Sequence, residues 1–199
     1  RENRIEHADI LCKQFGPETI FWRFDPICFY TLPDGSVGNN LSDFHIIAKK
    51  MASSGIQKCI TSFMDHYSKI NIRPRPFESF CFIDPDISKK VRVLQRMASV
   101  IASQNMKLYT CCEKMVLSAM PLETKIQNSS CIPSRLLTDL FGGNLSYKKD
   151  TGQRIKQGCG CMVSKDIGLY KQHPCYHNCL FCYANPKESS EIIIRKNGE

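Results

Sequence analysis

The chain has 199 residues, 42% hydrophobic and 23% charged, which excludes a disordered segment and provides enough chain for one sizeable core. No apolar run approaches the ~18–20 residues that cross a bilayer, so the sequence contains no transmembrane helix. The formal net charge of +8 would suit a polyanionic partner such as nucleic acid. However, the basic residues are spread over Lys49 and Lys50, Arg73 and Arg75, Lys89 to Arg92 and Lys148 to Lys156, with no arginine-rich arm, so solvated faces are the preferred reading.

The chain opens on Arg1 inside polar, helix-like sequence, which reads as a piece of a longer protein. Glu6 to Gln14 reads as the end of a helix stopped by Gly16-Pro17. Thr19 to Tyr30, nearly continuous in β-branched and aromatic residues, predicts a buried strand followed by a loop, and Thr31 to Asn40 is turn-rich. Leu41 to Ser54 predicts a helix with Phe44, Ile47, Ala48 and Met51 on one face, capped by Ser42 and stopped by Gly55. Lys58 to His66 predicts the next strand, followed by a proline-rich loop. Ile87 to Asn105 is the longest predicted helix, with Val91, Leu94, Met97, Ala98 and Ile101 on its apolar face and Ser88 as its cap. Lys107 to Lys114 predicts a third strand, and Pro133 to Phe141 a short helix ending at Gly142-Gly143.

This alternation of strand and helix predicts parallel strands joined by crossover helices. Three strands are too few for a closed barrel, so the expected fold is α/β, a partial β/α (TIM-like) barrel over residues 1–143, with a cysteine-rich segment over residues 144–199 packed on it.

Twelve cysteines in a chain of this length point away from a small disulfide scaffold. Five of them crowd between Cys159 and Cys182, the pattern of metal or cluster binding, and thiolate ligation favours a reducing, cytoplasmic setting. The central element is Cys175, Cys179 and Cys182 in a Cys-x3-Cys-x2-Cys spacing. Three thiolates on one short loop can hold three irons of a [4Fe–4S] cluster and leave the fourth iron open for a small molecule. A structural zinc site is the rival, because Cys159, Cys161, His173 and His177 lie close by in sequence. Zinc ligands usually arrive as two separated pairs, so the cluster is preferred.

Further constellations surround this one. Cys159 and Cys161 are spaced to reach one metal. Cys111, at a strand end, and Cys131, before a helix, could join them in a second cluster, although buried free cysteines are usually packing residues, and that reading is preferred for these two. Arg23 and Asp25 share one strand face at the end where β/α barrels carry their active sites, and Asp65 and Glu113 hold equivalent positions after the next two strands. These four are the catalytic candidates, with a structural Arg23 salt bridge as the alternative. Asp166 is a candidate to order the cysteine loop.

The stretch GCGCMVSKDIGLYKQHPCYHNCLFCYAN, Gly158 to Asn185, closely resembles the C-terminal signature of the domain of unknown function 1848 family, as do TIFWRFDPI (Thr19 to Ile27), TCCE (Thr110 to Glu113) and Cys131-Ile132. The similarity covers essentially the whole chain in order, and family chains extend further at the N-terminus. Its cysteine cluster is similar to the one radical S-adenosylmethionine (SAM) enzymes carry near the N-terminus, with an aromatic directly before the third cysteine, here Phe181. The resemblance implies a β/α barrel, a [4Fe–4S] cluster, SAM as co-substrate and an external electron donor. The motif comes last rather than after the first strand, which departs from the usual SAM-binding arrangement. The reading is therefore a radical SAM-type enzyme of unspecified substrate. A non-catalytic zinc- or cluster-binding module is the alternative, and a nucleic-acid-acting radical enzyme the second.

Overall fold

The computed structural model describes residues 2–71, 73–165, 167, 168, 172, 175, 177 and 179–182. In chain order the elements are α1 (Glu2–Phe15), β1 (Trp22–Ile27), β2 (Phe29–Thr31), β3 (Val37–Asn39), α2 (Phe44–Ser53), β4 (Lys58–Phe63), β5 (Phe82–Ile83), α3 (Ile87–Ala102), β6 (Lys107–Thr110), α4 (Lys114–Ser118), β7 (Gln127–Asn128) and α5 (Ser134–Phe141). Strands β1, β4, β6 and β7 form a four-stranded sheet in that order, and every pairing is parallel. The three predicted strands are thus parallel neighbours, and the molecule is a mixed α/β fold.

One face of this sheet meets the helices. Trp22 and Phe24 alternate toward α2, where Trp22 stacks on Phe44 at 5.4 Å and Phe24 meets it edge-on at 5.0 Å. From α3, Leu94, Met97 and Ile101 are buried on the same core, with Val91 and Ala98 packed at its margin, as their helical spacing dictates. The cap of α3 is Asp86, whose Oδ1 accepts the Lys89 N–H at 2.7 Å, and not Ser88. Helix α2 begins after Asp43, one residue beyond the expected Ser42 cap.

The expected strand from Thr19 to Tyr30 is two strands in two sheets. The parallel pairing slips between Phe24 and Ile27, and Phe29–Thr31 then pairs antiparallel with β3 and β5 in a separate sheet of order β3-β2-β5. The turn-rich stretch Thr31 to Asn40 is therefore a hairpin. The third strand ends at Thr110 because Cys112 takes a left-handed φ of 62°, which breaks the ladder and turns the chain into α4. No helix among the described residues is long and apolar enough to cross a membrane.

Candidate functional site

The C-terminal ends of the four parallel strands surround one cleft of about 480 Å³. Open α/β sheets hold their ligands at this end, where loops leave the strands and face the same way. β1 contributes Arg23 and Asp25, β4 contributes Ser62 and leads to Asp65, β6 leads to Cys111 and Cys112, and the chain after β7 contributes Cys131. Gln153, Arg154, Cys159 and Cys161 close another wall, and Cys179, Phe181 and Cys182 complete the lining.

Arg23 and Asp25 form the anticipated ion pair, Arg23 Nη2 to Asp25 Oδ2 at 2.5 Å. Asp25 also accepts from the Ser62 hydroxyl of the neighbouring strand, and Arg23 Nη1 donates to Cys131 Sγ. Both groups face the cleft and are only partly enclosed, so the pair orders the wall without being lost to the core. Asp65 pairs with Arg154. Glu113 is apart from Arg23 and Asp25 but has Asp65 as a cleft neighbour. It lines an adjoining cleft with His66, Lys90 and Lys156, and its Oε1 accepts the Phe63 N–H at 2.7 Å. Burial pushes its carboxyl up to about 7, against the pull of that N–H and of Lys90.

Three segments bring five thiols to the cleft. Cys111 Sγ lies 3.7 Å from both Cys112 Sγ and Cys131 Sγ. Hydrogen bonding from Cys131 holds the Cys111 thiol down at about 6, with Cys112 and Arg23 acting in the same direction against burial. Burial, followed by the neighbouring Cys111 charge, pushes Cys112 up to about 12. Cys161 Sγ accepts the Cys131 N–H at 3.3 Å, and the Met162 N–H donates to the Ile132 carbonyl at 3.3 Å, which fixes the returning segment against the chain after β7. The two segments approach closely at Gly160, where a Cβ would lie 3.3 Å from the Ser129 carbonyl oxygen. Cys159, also buried, is pushed up by burial and by Cys161. Cys111 is buried, as expected of a packing cysteine, and Cys131 is half-buried; both also line the cleft, in contact with each other.

In the Cys175, Cys179 and Cys182 loop, the Cys182 N–H donates to the Cys179 carbonyl at 2.9 Å, a tight turn that keeps the two thiols together. The Cys179 thiol is pushed up first by burial, then by Cys182 and Cys175, while Arg73 pulls it down, so the three thiols and one guanidinium share a neighbourhood. Phe181 packs against the cluster of Cys28, Met64 and Ile70, which docks the loop beside the small antiparallel sheet. Arg4 of α1 meets His177 Nε2 at 2.5 Å. Asp166 and His173 lie outside the described residues. Among the described residues, no three Cys, His, Asp or Glu side chains are arranged to hold one metal ion. Sequence reasoning missed Ser62, Cys112 and Arg154; the adjacent Cys112 in the TCCE stretch was the one signal available for them.

No curated protein and no solved structure matches the chain. The family model described as "Domain of unknown function (DUF1848)" matches residues 1–184, nearly the whole chain, from the β1 cleft wall to the cysteine loop. The chain belongs to that family, the domain of unknown function 1848.

Proposed function

We propose that this protein is an iron–sulfur protein of radical SAM type, in which Cys175, Cys179 and Cys182 hold a [4Fe–4S] cluster over the C-terminal ends of the parallel strands. The observation that carries this reading is that Cys179, Phe181 and Cys182 line the same cleft as Arg23 and Asp25. The donor set suits the group. Three thiols share one short loop, and a cubane seats each thiolate on its own iron, so the donors need not converge on one point as they must around a single ion. Arg73, itself buried, supplies positive charge beside Cys179 and opposes part of the burial that raises that thiol. When bound, the cluster would supply the electron for reductive cleavage of SAM, drawn from an external donor.

The roles of this chain's residues follow from their places. Arg23 and Asp25 are positioned to bind the carboxylate and amine of an amino-acid-like ligand in the cleft. Asp65 with Arg154 braces the wall, Glu113 stands ready to hold a proton in the adjoining cleft, and Phe181 shields the loop from solvent. Cys159 and Cys161 line the same cleft as supporting thiols. In this reading the four-stranded sheet is an arc of a β/α barrel, residues 144–199 are the module packed on it, and the protein works in the reducing cytoplasm.

The test is anaerobic reconstitution of the protein with iron and sulfide, with quantification of both and detection of 5′-deoxyadenosine after reduction in the presence of SAM. Cys179→Ala should lose the cluster, whereas Cys81→Ser, at an exposed cysteine outside the cleft, should keep it. Stoichiometric zinc with refusal of iron would overturn the reading in favour of a zinc module.

A further inference from the structure

The cysteine loop leaves unused the densest group of thiols in the molecule, on the sheet side of the cleft. Cys111 and Cys131 come from loops after adjacent strands and are 20 positions apart in sequence, yet their sulfurs lie 3.7 Å from each other. This separation is van der Waals contact. A disulfide needs about 2.05 Å, so forming it would bring the two sulfurs closer. Arg23 donates to Cys131 Sγ from within the cleft, a cation placed where a thiolate must be stabilised as it attacks or leaves. Cys112 offers its sulfur 3.7 Å from Cys111 on the other side, but it is the next residue in the chain, and a bridge between neighbours would distort the intervening peptide. Cys59, by contrast, is fully enclosed in the core. Among the described residues, no three donors are arranged around one ion.

We propose that Cys111 and Cys131 are a redox-active dithiol, with Arg23 as its positioning residue, and that it exchanges with a small-molecule disulfide entering the cleft. The Cys111 thiolate attacks one sulfur of the incoming disulfide. A bond forms between Cys111 Sγ and that sulfur, and the second sulfur leaves as a thiolate that takes up a proton. Cys131, its proton given up to solvent, then attacks Cys111 Sγ and expels the remaining half of the ligand as the second thiol. Two cysteine thiols are oxidised to one disulfide, and one disulfide is reduced to two thiols. The pair needs no cluster, so its chemistry is independent of the Cys175, Cys179 and Cys182 site.

The experiment equilibrates the protein with reduced and oxidised glutathione at a series of ratios, quenches it by alkylation and maps tryptic peptides by mass spectrometry. The expected product is Leu108–Lys114 joined to Ile126–Arg135, rising with the oxidised fraction to near-complete conversion and reversed by dithiothreitol. Cys112→Ser should preserve the link, Cys111→Ser and Cys131→Ser should abolish it, and Arg23→Met should slow its formation about tenfold with the fold intact by circular dichroism. The same link should form when Cys175, Cys179 and Cys182 are all replaced by serine, which separates this proposal from the cluster reading. Absence of the link at every ratio, or its loss in Cys112→Ser alone, would overturn the proposal. So would protection of these thiols from alkylation by a stoichiometric metal that a chelator removes, since the pair would then be part of a metal site.

Discussion

Arg154 donates to the carboxylate of Asp65 across 89 positions of sequence, which fastens the segment after α5 to the end of β4. Both side chains are more than a third exposed, so the pair is worth at most about 1 kcal/mol to global stability. Its importance is local, because it holds the wall that carries Cys159 and Cys161. Arg154→Met should leave the urea midpoint nearly unchanged and should speed tryptic cleavage at Lys156 several-fold, with a smaller difference between variant and parent at high salt. Equal cleavage rates would show that the wall is held by its backbone contacts alone.

Glu113 gives the molecule a pH dependence of unusual sign for a carboxylate. Its folded-state value is raised from 4.5 to about 7, chiefly by burial, so the folded chain binds this proton more tightly than the unfolded chain. The charged form therefore costs stability. The cost is absent below about pH 4.5, grows as pH rises, and is complete above about pH 7, where it is on the order of 3 kcal/mol. Glu113→Gln keeps an acceptor for the Phe63 N–H and removes the titration. In urea unfolding, the variant should match the parent near pH 4 and exceed it at pH 8. A gap that does not change with pH would assign the effect to packing.

Cys111 should be the first thiol to react at neutral pH. Hydrogen bonding from Cys131, then from Cys112, together with Arg23, holds it at about 6, while burial pushes Cys59 up to about 12. Alkylation of the Leu108–Lys114 peptide by iodoacetamide should reach half its maximal rate near pH 6, and Cys131→Ser should move that midpoint upward. Cys59 should stay unmodified until the protein unfolds. Modification of Cys111 and Cys59 at similar rates would contradict this ordering.

Phe181 packs on Cys28, Met64 and Ile70 and is partly buried there. Phe181→Ala should cost about 1–2 kcal/mol, less than a fully enclosed phenylalanine. Amide exchange should accelerate at Phe29 to Thr31 and around Ile70 while Leu94 and Ile101 remain protected. Uniform acceleration throughout the chain would mean that the loop is part of the main core.

The parallel sheet was legible because each predicted strand carried a run of β-branched and aromatic residues, and each intervening helix had a clear apolar face, as in Leu94, Met97 and Ile101. The small antiparallel sheet was not. Phe29 and Tyr30 resume the aromatic character of Trp22 to Phe24, so the change of sheet after Ile27 is marked in the sequence only by Asp25-Pro26. Strands β5 and β7 have two residues each, too short for any alternation to register. The placement of Arg23, Asp25 and the cysteine loop around one cleft followed from strand ends and spacing. The partnership of Arg154 with Asp65, and of Cys111 with Cys131, depends on how distant loops fold back over the sheet, and no local pattern encodes it.

Because β1, β4, β6 and β7 are laid down side by side in the order in which they occur, the cleft is assembled along the direction of synthesis. The first two strands bring Arg23, Asp25 and Ser62 together, the third adds Cys111 and Cys112, the fourth adds Cys131, and only then does the segment bearing Arg154, Cys159 and Cys161 come down over them. The wall bearing Arg154 therefore closes the cleft last, and Cys111 and Cys131 can meet as soon as the fourth strand is in place, before Cys159 and Cys161 cover them.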